Sequence, residues 1–254
     1  MINILLVNDD GIDSPGIRAL VQELRGLGRV WVTAPSGQRS AASHGITTRR
    51  GMAVREVGLE GAAGAWSIGG KPADCVKMAV VQLLDEPMDL LISGINEGSN
   101  LGTDTLYSGT VAGAVEGAFN DIPSMAISLV REKAPWDFRA AAQVSADLAR
   151  RYLEGKLHLP PMSILNINVP DLPVEKLRGY RATRLCVRRY SDYYHLMEET
   201  EEEKIYHLRG SAIPGDGKDL DEDANAVAEG YVSVSPISVD RTDYQLLAEL
   251  RQRL

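Results

Sequence analysis

Cysteine is nearly absent from this 254-residue chain, with Cys75 and Cys186 its only two. Two thiols in apolar settings build no disulfide framework and fit a reducing compartment. Long apolar runs are missing as well. None approaches the roughly 20 residues that a membrane-spanning helix requires. The opening Met1-Ile2-Asn3-Ile4-Leu5 also lacks the basic segment and small-residue cleavage site of a signal peptide. The expectation is a cytoplasmic protein with no membrane partner. Basic charge is in deficit: 27 Lys and Arg against 35 Asp and Glu leave a formal net charge of −8. That balance argues against duplex nucleic acid, whose binders carry a basic footprint. A small anionic substrate would need a local attractor, either a bound cation or a helix N-terminus. The sequence also has no CxxC pair, no HExxH, no G-x-S-x-G elbow and no P-loop Gly-Lys-Ser/Thr.

What is present is an alternation of strand and helix patterns. Residues 2–7 read as a buried strand. Ser14-Pro15 supplies an N-cap and a first helical proline, and Ile17, Leu20, Val21 and Leu24 follow at helical spacing until Gly26 or Gly28. A strand is expected at 30–33, a polar loop at 34–45, a hairpin at 46–57 and a short strand at 66–68. Pro72 opens a helix with Val76, Ala79, Val80 and Leu83 on one face. Strands at 89–93, 125–129 and 164–169 follow, with a helix over 136–153 ahead of the last. Short apolar strands between amphipathic helices predict an α/β fold, a mainly parallel sheet covered on both faces. Ligands of such sheets bind beyond the carboxyl ends of the strands, here just after Val7, Thr33 and Ile92.

Past Pro170 the texture changes. Residues 180–187 and 204–208 read as strands flanking RRYSDYYHLMEETEEE, 210–230 is acidic, 232–239 is strand-like, and 243–254 is a closing helix. Strands without helices between them predict a projecting hairpin arm. The expected organisation is a core over 1–175 with a dependent extension over 176–254. Tyr190, Tyr193 and Tyr194 suit dimer contacts better than stacking on a base, since tyrosine is enriched at interfaces.

Four stretches have chemical potential. In VNDDGIDSPGI, Asp9 and Asp10 converge only if the strand has ended and the backbone is turning, which Gly11 permits. Convergent carboxylates favour a hard divalent cation. Asp is equally a common turn residue, so turn capping is the competing reading; Asp13 is the expected capping acid. In SGINEGSNLGTDTLYSGTVAGAVEG, a long ordered loop runs into a helix of tiny residues. Its amides and the helix start near Ser108-Gly109-Thr110 suit an anion. In APSGQRSAASHG, Arg39 suits phosphate, Ser40 an oxygen ligand and His44 an acid or base, although each also fits an ordinary surface loop. In GKPADCVKMA, Lys71 and Lys77 are expected to face solvent and Cys75 to pack in the core.

A strand ending in DDG suggests two phosphotransfer families that fail on inspection. Haloacid dehalogenase-like phosphatases need a nucleophilic Asp where this chain has Asn8. A receiver domain needs a phosphoacceptor Asp ending a strand that here ends in Ser93, and the chain is too long for one. A third likeness covers nearly the whole chain. NDDGIDSPGI, AP followed by QRSAASHGIT, PADC, SGINEGSNLGTDTLYSGTVAGAVEG and LNINVP appear in order, with GYVSVSPISVDRTD weaker. Together these motifs resemble the SurE (survival protein E) nucleotidase family.

The resemblance implies a Rossmann-like three-layer core and one divalent metal ion, Mg²⁺ or Mn²⁺, with Ca²⁺ as an alternative. It implies a phosphatase of nucleoside 5′-monophosphates, extending to 3′-monophosphates and short polyphosphate. Homodimers or dimers of dimers would form through C-terminal elements. It places the metal on Asp9, Asp10, Ser40 and Asn96, with Asp9, Asp10 and Asn96 catalytic. The phosphate would lie against Ser93, Gly94, Gly98, Ser108, Gly109 and Thr110, with Asn8, Arg39 and His44 as secondary candidates. The implied mechanism has a metal-activated water as the nucleophile. Lys71, where the family carries a small or hydroxylic residue, bears on substrate preference.

Overall fold

A computed structural model describes residues 1–131, 134–213 and 217–254. Strand β1 (Asn3–Val7) is buried at every position, as a strand covered on both faces must be. Its apolar side chains divide between two clusters. Ile4 and Leu6 pack with Ile92 on one face, and Leu5 and Val7 with Leu91 on the other. Helix α1 (Pro15–Leu24) starts where Ser14 Oγ accepts the Ile17 amide, with Pro15 at a position that needs no N–H. Strand β2 (Arg29–Pro35) pairs parallel to β1.

Strands β3 (Val54–Glu56) and β4 (Gly64–Ile68) form an antiparallel pair, with β4 parallel to β2. The expected 46–57 hairpin is therefore one strand of this later pair. Helix α2 (Pro72–Met78) continues through a wide π turn at Ala79–Leu83. Next come β5 (Leu90–Glu97), α3 (Gly109–Phe119), β6 (Ser124–Val130), α4 (Arg139–Leu153) and β7 (Ser163–Pro170). The extension supplies β8 (Tyr180–Ala182), β9 (Tyr193–Glu199), β10 (Lys204–Arg209), α5 (Asp223–Ala228), β11 (Val232–Ser238) and α6 (Tyr244–Arg253).

The main sheet has nine strands in the order β3-β4-β2-β1-β5-β6-β7-β11-β8, parallel except at β3/β4 and β7/β11. Helices α1 and α4 pack together, and α2 packs with α3. The clusters beneath these two pairs form on opposite faces of β1, so the expected three layers are present. From β1 the chain steps outward through β2 to β4, then returns across β1 to lay down β5, β6 and β7. The order thus reverses between β1 and β5, which opens a crevice at their carboxyl ends.

Two departures from the sequence reading matter for the site. The strand expected to stop at Ser93 runs on to Glu97, with its register against β6 slipping between Ser93 and Asn96. Gly94 permits this. Its φ is +148°, and a Cβ there would stand 2.4 Å from the Ile127 carbonyl oxygen. The second departure is the arm. The polar stretch expected between two strands is itself strand β9, which pairs antiparallel with β10 as a separate two-stranded sheet exposed along both strands. The strand expected over 180–187 shortens to β8, and the acidic stretch contains α5; residues 214–216 of it lie outside the described residues. Strands β8 and β11 extend the core sheet, and the buried Asp223 carboxylate accepts the amides of Gly102 (2.7 Å) and Cys186 (3.1 Å). No helix among the described residues is long and apolar enough to cross a membrane.

Candidate active site

The turn after β1 is shaped by Asn8. Its side chain is fully buried: Nδ2 donates to the Gly11 carbonyl (3.0 Å) and Ser14 Oγ (2.7 Å), and Oδ1 accepts the Gly11 amide (3.1 Å). Asn8 therefore does the local capping in place of either aspartate. Asp13, the expected capping acid, instead pairs with Arg18 at the surface, 3.3 Å away. Asp9 and Asp10 are released to line a cleft of about 810 Å³ at the β1/β5 crevice.

Asp9 meets the start of α3. Thr110 Oγ1 donates to its Oδ1 at 2.6 Å, and a Cβ on Gly109 would fall 2.9 Å from both Asp9 Cβ and Oδ2. Only a glycine at the first helical position lets the helix come this close. Burial pushes the Asp9 carboxyl up to about 6; the Thr110 hydrogen bond opposes that rise and the Asp10 charge adds to it. Asp10 Oδ2 accepts the Glu97 amide at 3.1 Å, and its carboxyl is also raised by burial. Glu97 is raised in turn, by burial and then by the Asp10 charge. Carboxylates held together against their preference for water favour either a shared proton or a cation.

Ser40 and Asn96 open into the same cleft. Asn96 Nδ2 donates to the Gly98 carbonyl at 2.8 Å, which leaves Oδ1 as the open end of the amide. Gly98 and Ser108 line the cleft too; Ser108 caps α3 by accepting the Val111 amide at 3.0 Å. Gly109 and Thr110 stand behind Asp9.

The other expected residues do not line this cleft. Ser93 is fully buried, with its hydroxyl without a hydrogen-bond partner and facing Gly113 of α3; Gly94 packs on β6. The Arg39 side chain turns away, Nε donating to the Gly70 carbonyl (3.3 Å), while its backbone amide donates to the Asp9 carbonyl (2.7 Å). His44 is 2.8 Å from the buried Glu116, which also receives Lys77 at 2.8 Å, and its ring stacks on Phe119. That cluster ties the loop carrying Ser40 to α3. Cys75 is buried, as expected.

Sequence reasoning missed two groups. Asn100 is held by side chains from the sheet: its amide donates to Asn168 Oδ1 (2.9 Å), its Nδ2 to Ser128 Oγ (2.8 Å), and its carbonyl accepts from Asn166 (2.8 Å) and Asn168 (3.0 Å). The signal was available in LNINVP, where two asparagines two apart on one strand face break an apolar run. The second group is Arg188 with Asp104 and Tyr190, all in the cleft wall. Their juxtaposition spans 84 and 86 positions along the chain, and no local spacing announces it.

Among the described residues no group of three or more His, Cys, Asp and Glu side chains converges for a metal. A cation here would rest on the Asp9 and Asp10 carboxylates with Ser40 Oγ and Asn96 Oδ1. This all-oxygen set suits a hard ion, and the raised carboxyls supply the charge that one would offset. The residues fit the group.

Fold and site together define a Rossmann-like αβα protein with an acidic, oxygen-lined ligand cleft at its switch point. The profile of the family described as "Survival protein SurE" matches residues 4–192. A protein of Syntrophomonas wolfei named 5′-nucleotidase SurE is 42% identical, the match covering 98% of this chain and 93% of that one. One of the same name from Moorella thermoacetica is 44% identical, over 97% and 94%. The crystal structure of the SurE protein from Aquifex aeolicus superposes with a TM-score of 0.85 at 36% identity, over 98% of both chains. The chain belongs to the SurE family.

Proposed function

We propose that the protein is a phosphoric monoester hydrolase, a 5′-nucleotidase that acts on nucleoside 5′-monophosphates with one divalent cation, Mg²⁺ or Mn²⁺. Nucleoside 3′-monophosphates and short polyphosphate are secondary substrates in this reading. The observation that carries it is the convergence of Asp9, Asp10, Ser40 and Asn96 in one switch-point cleft, in a chain whose relatives are named for that activity. When bound, a divalent cation supplies charge neutralisation at the phosphate and lowers the pKa of water.

The chain's own groups do the rest. Asp9, fixed by the Thr110 hydroxyl at 2.6 Å, is placed to hold the cation and orient water beside it. The Ser108 hydroxyl, which accepts from Val111, keeps its own proton for a phosphate oxygen, and the backbone around Gly98 and Ser99 forms the facing wall. Asn8 is committed to its turn, so an Asp nucleophile at that position, and with it a covalent aspartyl-phosphate there, has no basis.

The test is a panel of nucleoside 5′- and 3′-monophosphates and polyphosphate with each cation. Turnover of 5′-monophosphates should be abolished by EDTA and restored by Mn²⁺ or Mg²⁺. Failure to hydrolyse any nucleoside 5′-monophosphate with any divalent cation sinks the reading.

The partner is a second copy of this chain, giving a homodimer or a dimer of dimers. A lone two-stranded hairpin is marginal in water, and β9/β10 exposes Tyr193, Tyr194, Leu196, Met197, Ile205, Tyr206 and Leu208. Sedimentation should show an oligomer that dissociates in Tyr194→Asp/Ile205→Asp; a monomeric parent, or a variant of unchanged mass, refutes it. Two buried, unpaired thiols support a cytoplasmic setting.

A further inference from the structure

The cleft holds far more than a phosphate. At about 810 Å³ it lies within the roughly 300–1,000 Å³ usual for small-molecule sites. Its two ends differ in chemistry. Asp9, Asp10, Ser40 and Asn96 occupy one wall. Another is built from the 310 turn Gly102–Leu106 and the root of the arm, which bring Leu106, Tyr107, Arg188, Tyr190 and Leu208 to the surface. Arg188 is the one basic residue among the described residues lining the cleft, against Asp9, Asp10, Glu97, Asp104 and Asp192.

Arg188 is not a mobile surface cation. Its Nη1 donates to Asp104 Oδ2 at 2.8 Å and reaches Ser99 Oγ at 3.5 Å, where this wall meets the Gly98–Ser99 wall; its side chain is only 21% exposed, and its backbone amide donates to Thr103 Oγ1 at 3.2 Å. Tyr190 donates its hydroxyl to the same Asp104 oxygen, and the guanidinium carbon lies 5.5 Å from the centroid of the Tyr190 ring. One carboxylate thus fixes two planar groups together. Because Asp104 already offsets the Arg188 charge, this pair is a poor phosphate clamp. A weakly hydrated guanidinium beside a phenol ring is instead a good stacking platform. Tyr190 also stands apart from Tyr193 and Tyr194, which lie on the hairpin itself.

We propose that Arg188 and Tyr190 form the nucleobase-recognising wall of the cleft, a platform on which the base stacks while the phosphate meets the Asp9/Asp10 end. This rests on the nucleotidase reading above and adds the residues that distinguish a nucleotide from a plain phosphate ester. Stacking uses the π-face that every base offers, so the wall detects that a base is present.

Adenosine carries the base and no phosphate, so its binding reports on this wall without hydrolysis or a cation. Calorimetric titration of the full chain with adenosine, with ribose as control, should show binding of adenosine alone. Arg188→Ala and Tyr190→Ala should each weaken it at least tenfold, about 1.4 kcal/mol. Tyr190→Phe keeps the ring while losing the bond to Asp104, and should stay within threefold of the parent. Tyr190 is partly exposed, so its truncation leaves the core untouched. The proposal is overturned if the parent binds no adenosine, if either alanine variant binds as the parent does, or if Tyr190→Phe falls as far as Tyr190→Ala. Nucleotide hydrolysis without adenosine binding would remove this wall and leave the nucleotidase reading intact.

Discussion

Asp9→Asn is expected to lower kcat/KM on a nucleoside 5′-monophosphate roughly a thousandfold or more, the scale seen when one member of a catalytic unit is removed, while making the cation-free protein more stable. The two effects have one origin. Asn preserves the shape of the side chain and an oxygen to accept the Thr110 hydroxyl, but it gives up the charge that a cation needs. That charge is a liability to the fold alone. The Asp9 carboxyl ionises near 6 in the folded chain against an ordinary 3.8. Between those values the folded state keeps a proton that the unfolded state has released, so stability falls as pH rises through this window. Above it, the ionised group costs about 3 kcal/mol, at 1.36 kcal/mol per pKa unit. In EDTA at pH 8 the variant should melt several degrees above the parent, and the gap should close below about pH 4. A variant that keeps its activity, or one that melts below the parent at pH 8, contradicts this account of Asp9.

Gly109→Ala should be nearly as damaging to activity by a different route. The added methyl would sit 2.9 Å from Asp9 Cβ and Oδ2, closer than such atoms approach. Either the start of α3 or the carboxylate must move. The helix start is fixed by Ser108, whose hydroxyl takes the Val111 amide, and α3 is packed along nearly its whole length. Asp9 is the part that yields. A displacement of about 1 Å at a reacting group costs on the order of a hundredfold in rate, and overpacking costs about 1–3 kcal/mol of stability. The check is kcat/KM together with the melting temperature. Parent-like kinetics would mean that the contact between α3 and Asp9 does not set the geometry of the site.

Much of this arrangement was legible in the sequence, and what was not had a physical reason. The β1 run, the Ser14-Pro15 helix start and the apolar strands at 125–129 and 164–169 announce themselves because their periodicity and caps are local. The Asp pair at a strand end was legible as a carboxylate site for the same reason. The extension of β5 through Gly94 to Glu97 was hidden, since glycine and asparagine signal a loop unless a neighbouring strand is known to run alongside. Strand β9 was hidden because an exposed hairpin has no buried face to impose alternation. His44 and Arg39 read as secondary candidates from their position after β2; Glu116 holds the His44 ring, while Arg39 gives its backbone amide to the Asp9 carbonyl and its Nε to the Gly70 carbonyl. Arg188, Asp104 and Tyr190 meet only through the tertiary fold.

The reversal of strand order between β1 and β5 also bears on when the site can exist. Asp9 and Asn96 come from separate excursions of the chain, and the Asp10–Glu97 bond spans 87 positions. Until β5 docks beside β1, a nascent or unfolded chain offers only two adjacent carboxylates, with no Asn96 amide beside them. A cation held by Asp9, Asp10, Ser40 and Asn96 would therefore be selective for the native state, and by mass action would shift the folding equilibrium towards that state as its concentration rises.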